Sequence, residues 1–323
     1  MKIQNKTDME VVGNLFHKAH NILILPHILP DGDTIGSSIA LYLALEKIGK
    51  HPHIFLKETV PDNIKFLSNG NIYNRVDKYF QFDLVVSIDC SDIGRLGDRE
   101  SYIDKAKCSL NIDHHVTNTY FADYNLVDPK AAATGEIIYF LINSLGISIT
   151  KDMATCLYTA ISTDTGSFKY DNTTHQTHSI AAILLEKNID LNFITTEIYQ
   201  NKPIYKVKLL IEVLNTLEFY CENKVVILCI MKEHIEKTGA KLEDTEGFIE
   251  YARDIDGVEV GVLLKEMDQG QIKVGFRAKY DVDVSKIAKV FDGGGHKKAS
   301  GCTIHDSIEN AKRIIINSIK NHL

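Results

Sequence analysis

His27, Asp31 and Asp33 fall within seven positions of one another in the run His27-Ile28-Leu29-Pro30-Asp31-Gly32-Asp33, directly after the apolar run 21–25. An imidazole and two carboxylates leaving the end of a strand together have the composition of a metal site. The apolar run 83–88 likewise stops at Asp89, the run 108–112 stops at Asp113-His114-His115, and a further loop, Ser162-Thr163-Asp164-Thr165-Gly166-Ser167, follows a helical stretch. Singly, each is ordinary: an Asp beside Gly is usually a turn residue or a helix cap, and a His pair is often plain surface. Together, several strand-end loops supply Asp or His and none supplies Cys, a donor set suited to Mn²⁺ or Mg²⁺ and ill matched to a thiolate zinc site. The four carboxylates of Asp31, Asp33, Asp89 and Asp164 balance two divalent cations, with neutral His27 and His114 as further ligands. Two such ions about 3.5–4 Å apart lower the pKa of a water and clamp both sides of an in-line displacement at phosphorus. Phosphoester hydrolysis is the natural reaction.

These residues need a scaffold that brings strand ends together. Short apolar runs alternate with helical periodicity through the first half of the chain (22–25, a helix around 39–48, 53–56, 83–88, 108–112, helices over 134–145, 151–161 and 177–186), the pattern of βα units around a doubly wound, largely parallel sheet. In such sheets ligands collect outside the carboxyl ends of the strands. Residues 191–220 read as mostly helical with a break at Lys202-Pro203. Beyond them the character changes to a smaller α/β unit with a mixed sheet: a strand over 224–231, an antiparallel hairpin turning at 268–270, a helix over 284–291, a strand over 300–304 and a closing helix over 308–323. The implied division is 1–190, a connector 191–222 and 223–323.

With 323 residues there is room for about two domains of ~150 residues. The composition, 44% hydrophobic and 24% charged with 6 prolines, excludes a disordered chain or a coiled coil. A net charge of −7 argues against coating long duplexes, while short anionic substrates stay open. The opening residues 1–6 have no apolar core behind them, and the longest apolar runs fall far short of the ~20 residues of a membrane span, so a cytoplasmic protein without membrane contact is expected. The six cysteines form no C-x-x-C pair and read as reduced packing thiols. His17 with His20, at helical spacing, His51 with His53, and His175 with His178 read as solvated surface. Glu58 and the stretch Asp92-Ile93-Gly94-Arg95-Leu96 either edge the site or brace its loops.

In order and spacing, His27-x-x-Pro30-Asp31-Gly32-Asp33, the isolated Asp89, Asp113-His114-His115 and Asp164-Thr165-Gly166 resemble the DHH phosphoesterase superfamily. The later run Gly293-Gly294-Gly295-His296-Lys297-Lys298-Ala299-Ser300-Gly301 resembles the signature of the DHH-associated domain, so the likeness spans nearly the whole chain. The most similar branch is that of nanoRNases and pAp phosphatases. It implies one metal held by His27, Asp31 and Asp89, and a second by Asp33, Asp89, His114 and Asp164, with Asp89 bridging. It further implies that His115 hydrogen-bonds the phosphate or protonates the leaving oxygen, that Asp113 orients the histidines, and that the active site lies in a cleft between the two domains.

Three consecutive glycines let backbone N–H groups approach an anion, with His296 as an added donor, and in the family an arginine at the position of Arg277 contacts phosphate or nucleobase. Residues 271–298 hold seven basic and three acidic side chains in an otherwise acidic chain, a lobe fit for one or two phosphates. The expectation is a Mn²⁺-dependent hydrolase, with Mg²⁺ as the other candidate ion. Its substrates would be short single-stranded RNA, cut to mononucleotides, and the bisphosphate pAp, converted to AMP. The resemblance also suggests a homodimer. The alternatives are a phosphodiesterase of linear or cyclic dinucleotide messengers and a nucleotide-binding sensor without turnover. A pyrophosphatase of this superfamily would lack the glycine-histidine run.

Overall fold

A computed structural model describes residues 7–68, 70–76 and 80–323, so the reading of the opening residues 1–6 lies outside the described residues. The chain divides into two compact units, one ending at Asn201 and the other beginning at Lys202.

The first unit holds strands β1 (Asn21–Pro26), β2 (His51–Phe55), β3 (Ile72–Tyr73), β4 (Leu84–Ile88), β5 (Ser109–Asp113) and β6 (Tyr124–Val127), with helices α1 (Met9–Lys18), α2 (Gly32–Lys47), α3 (Ser101–Lys105), α4 (Thr134–Ser144), α5 (Lys151–Asp164), α6 (His175–Leu185) and α7 (Leu191–Thr195). The strands form one sheet in the order β3-β2-β1-β4-β5-β6, and every pairing is parallel. Strand alternation divides the apolar side chains between two faces: Ile22, Ile24, Leu84, Val86 and Ile88 enter the larger core under α1, α2, α4, α5 and α6, while Leu23, Leu25 and Val85 enter a second cluster with Leu96 and Ile103. Strand order reverses between β1 and β4, which opens a crevice at their carboxyl ends. His27 and Asp89 are the first residues past those two ends.

β3 and β6 escape the sequence reading because two and four residues make no distinct apolar run. His17 and His20 do not share a helix. α1 stops at Lys18, and the His20 ring instead meets that of His51 edge-on with centroids 4.4 Å apart. Asp83, read as the first strand residue, sits just outside β4, where its carboxylate accepts from the His20 and Asn21 N–H groups at 3.0 and 2.9 Å and pairs with Lys107 at 2.8 Å. The Lys107 contact and then these two backbone donors hold the Asp83 carboxyl well below the usual carboxylate range. A depressed folded-state pKa stabilises the fold above the unfolded value near ~3.9 and loses that contribution as pH falls below it. Asp83→Ala is expected to lower stability by about 1–2 kcal/mol at pH 7, with the gap to the unmodified protein narrowing in urea melts taken toward pH 3.

The second unit holds α8 (Ile204–Leu214), β7 (Glu218–Tyr220), β8 (Val225–Ile230), α9 (Lys232–Thr238), α10 (Phe248–Arg253), β9 (Val260–Glu266), β10 (Gln271–Ala278), α11 (Val284–Lys289), β11 (Gly294–Gly295), β12 (Ala299–His305) and α12 (Ile308–Lys320). Its sheet runs β11-β12-β10-β9-β8-β7, with β8 and β9 parallel and the other pairs antiparallel, a mixed sheet as expected. Residues 218–220, read as helical, instead form the edge strand β7, which is only partly buried and so gives no clear apolar signal. One face of the sheet packs on α11 and α12, the other on α8 and α10. Among the described residues no helix is long and apolar enough to cross a membrane.

Candidate metal centre

α2 opens with Asp31 as its cap, whose carboxylate accepts the Thr34 N–H at 3.0 Å, so Asp33 enters the first helical turn and turns inward, 1% exposed. Three glycines bring the helices around it unusually close. A Cβ on Gly32 would lie 2.4 Å from the Thr163 side chain, one on Gly36 would lie 2.5 Å from the Cys156 carbonyl oxygen, and one on Gly135 would lie 2.7 Å from Ala160 Cβ. The start of α2, the start of α4 and the end of α5 therefore converge on one point beneath the ends of β1, β4 and β5.

That point gathers the predicted ligands. His27 Nε2 lies 3.7 Å from Asp31 Oδ2 and 3.4 Å from Asp89 Oδ2. His114 Nε2 lies 3.8 Å from Asp89 Oδ1 and 3.4 Å from Asp164 Oδ2. Donor atoms of His27, Asp31 and Asp89 lie within 4.8 Å of one another, as do those of Asp33, His114 and Asp164, and those of Asp89, His114 and His115. Asp89 thus faces both histidine-bearing sides from a left-handed backbone, φ 62°. Asp113, fully buried, accepts from His115 Nδ1 at 2.7 Å and from the Asn118 amide, which fixes the imidazole.

Burial first, and then the charges of neighbouring carboxylates, hold Asp33 and Asp164 well above the usual carboxylate range. Burial would raise Asp89 as well, but the hydrogen bond from His27 and the charges of His114, His115 and His27 outweigh it and keep this carboxyl low. For His27, burial disfavours the charged ring, yet its contacts with Asp31 and Asp89 raise it to about 9. His115 is likewise raised to about 9, by Asp113 and then Asp89, against the pull of burial. In the metal-free protein, protons on these groups offset clustered negative charge, and cation binding displaces them. The donor set, oxygen-rich with imidazole and without sulfur, fits a hard divalent ion.

Several supporting groups carried no signal in the sequence reading. Thr34 and Thr134 hydroxyls donate to Asp89 at 2.7 and 2.9 Å, Ser37 donates to Asp33 at 2.9 Å, and the Thr134 and Gly135 N–H groups at the start of α4 donate to Asp33 at 2.6 and 2.9 Å. A polar helix start is visible at Thr134-Gly135-Glu136, but nothing in it says which carboxylate it serves. Arg95 braces a loop: its carbonyl accepts the Ile28 N–H at 2.8 Å, and the Ile28 carbonyl in turn lies 2.6 Å from His27 Nδ1, leaving Nε2 toward the carboxylates. Glu58 pairs with the buried Arg99 at 3.2 Å.

In the second unit, Arg277 pairs across the sheet with Ala299, three residues past His296, and its Nε lies 3.4 Å from Glu250. The glycines differ from the simple cradle expected. The N–H groups of Gly293 and His296 are spent on the carbonyls of Ala288 and Ala299, at 2.9 and 2.7 Å. A Cβ on Gly293 would lie 2.3 Å from the Gly301 carbonyl oxygen and one on Gly295, at φ 138°, 2.5 Å from that of Ala299, whereas Gly294 faces open space. Two of the three are therefore required by the tight pairing of β11 with β12.

Residues 21–161 match the N-terminal domain of the DHH family and residues 212–321 match the DHHA1 domain. Over 306 residues, 94% of this chain and 90% of the relative, the sequence is 32% identical to a bifunctional oligoribonuclease and PAP phosphatase, NrnA, of Thermus thermophilus. The chain belongs to the DHH family. This DHH protein is also 30% identical to the Bacillus subtilis protein of the same name, covering 91% of this chain and 92% of that one. A crystal structure of an exopolyphosphatase-related protein from Bacteroides fragilis is similar at a TM-score of 0.90 and 26% identity, covering 97% of this chain and 95% of that one. The family assignment and the α/β class expected from the motifs hold, and a DHH phosphoesterase is a metal-dependent hydrolase of phosphoester bonds.

Proposed function

We propose that this DHH phosphoesterase cuts very short RNA, dinucleotides above all, to mononucleotides and removes one phosphate from pAp to give AMP, using Mn²⁺ in the cytoplasm. The observation that carries the reading is the position of Asp89, whose two oxygens lie 3.4 Å from His27 and 3.8 Å from His114, so that one carboxylate can be shared between two ligand groups. His27, Asp31 and Asp89 would hold one ion, and Asp33, Asp89, His114 and Asp164 the other. Two divalent cations held by these residues would supply an activated water and offset the charge of the phosphoryl oxygens. His115, its Nδ1 proton directed to Asp113, would hydrogen-bond the phosphate or protonate the leaving oxygen. Arg277, Gly294 and His296, with Gly293 and Gly295 shaping their turn, would engage the far phosphate or base, Arg by its planar fork. In this reading 1–190 is the catalytic domain, 191–222 a connector and 223–323 the substrate-binding domain, and the protein is a homodimer. The relatives named as bifunctional oligoribonuclease and PAP phosphatase support the substrate pair. Six unpaired cysteines agree with a reducing compartment.

The test is a panel with Mn²⁺: RNA dinucleotides to pentanucleotides, pAp, linear and cyclic dinucleotide messengers, and pyrophosphate. Mononucleotides from the dinucleotides and AMP from pAp are expected. Turnover confined to cyclic dinucleotides would favour the messenger phosphodiesterase, and no turnover of any short substrate the sensor. His115→Ala is expected to lower kcat about 100-fold while both Mn²⁺ ions still bind, as read by metal content after gel filtration.

A further inference from the structure

The Asp33, His114 and Asp164 group is assembled from three separate elements, and one side chain outside it connects two of them. Asn172 lies eight residues past Asp164, and its amide nitrogen donates to the Asp164 carbonyl at 3.1 Å and to the Ala132 carbonyl at 2.9 Å. Two carbonyl acceptors fix the amide's orientation, because only the NH₂ end can serve them. Ala132 follows Ala131, whose carbonyl lies 3.2 Å from His114 Nδ1. A closed circuit results: His114, Ala131, Ala132, Asn172, Asp164, and back to His114 across the 3.4 Å gap between Nε2 and the Asp164 carboxylate. The same segment runs on into Thr134 and Gly135, the donors that hold Asp33. Among the described residues Asn172 Oδ1, which is buried, has no hydrogen-bond partner, a desolvation penalty the fold accepts in keeping the amide nitrogen in place.

We propose that Asn172 is a positioning residue for the second ligand group, its amide fixing Asp164 relative to His114. This rests on the assignment of the Asp and His cluster as a metal site. The first group leans on Asn172 far less: the His27 ring is set by the Ile28 carbonyl and Asp31 by the Thr34 N–H, and the shared Asp89, though it accepts from Thr134, also accepts from the Thr34 hydroxyl at 2.7 Å. Loss of Asn172 should therefore weaken one ion and spare the other.

The experiment uses the full chain, stripped of metal and titrated with Mn²⁺, with free ion followed by its electron paramagnetic resonance signal. The unmodified protein should take two ions. Asn172→Leu, which keeps the branched shape without donors, and the smaller Asn172→Ala should bind the first ion nearly unchanged and the second about 10- to 100-fold more weakly, with kcat restored at high Mn²⁺. Thermal melts of the metal-free variants confirm folding, and either variant that folds suffices. Two ions bound as in the unmodified protein, or equal weakening of both, overturns the proposal. If the unmodified protein binds no Mn²⁺, the metal-site assignment itself fails and takes this proposal with it.

Discussion

Asp89→Asn removes one charge and almost no volume, and it is expected to cost about a thousandfold in kcat and to abolish binding of both Mn²⁺ ions at micromolar metal. The effect is large because Asp89 faces His27 on one side and His114 on the other, and in the proposed assignment it serves both ligand groups. The amide can still accept from Thr34 or Thr134, which preserves the local packing. Kinetics on an RNA dinucleotide with a parallel metal titration checks this. A variant that kept one ion and a tenth of the rate would mean that Asp89 serves one side only.

Gly36→Ala has the second largest expected effect, although Gly36 touches no substrate. Its new Cβ would lie 2.5 Å from the Cys156 carbonyl oxygen and 3.1 Å from Ala160 Cβ, and backbone cannot swing aside as a flexible side chain would. α2 and α5 must separate, at about 2–3 kcal/mol, or a fall of roughly 5–10 °C in the melting temperature of a unit of about 200 residues. Separation also moves Asp33 from Asp164, so activity at limiting Mn²⁺ should fall well beyond the loss of folded protein. Gly49→Ala is the control. Gly49 has φ 73° and, among the described residues, nothing within 4 Å of the added carbon, so it should lose about 1–2 kcal/mol from backbone strain alone and leave Mn²⁺ dependence intact.

The contrast between those two glycines shows what a sequence can disclose. β1 and β4 are buried on both faces and are near-continuous apolar runs, while β5 alternates Leu110 and Ile112 with buried Ser109 and Asn111, and the polar residue where each strand stops is a ligand candidate. His27, Asp89 and Asp113-His114-His115 were legible for that reason. The helix spacing that unites them was not, because Gly36 reads like any helical glycine until Cys156 is known to lie opposite. Thr134 and Asn172 escaped for a related reason: their task is to hold other residues through hydrogen bonds whose partners are 45, 40 and 8 positions away. Gly293 and Gly295 illustrate the reverse. A glycine kept for close strand pairing and one kept for an anion look alike in sequence, and here the pairing of β11 with β12 claims both.

The left-handed backbone at Asp89 restricts which side chains can stand at the centre of this site at all. Few residues other than glycine rest in that conformation without strain, asparagine and aspartate chief among them, and of these only aspartate brings a negative charge. Glutamate would conserve that charge but not the conformation, and its extra methylene would have no room beside two threonine hydroxyls. A substitution scored as mild by charge alone would therefore silence this enzyme.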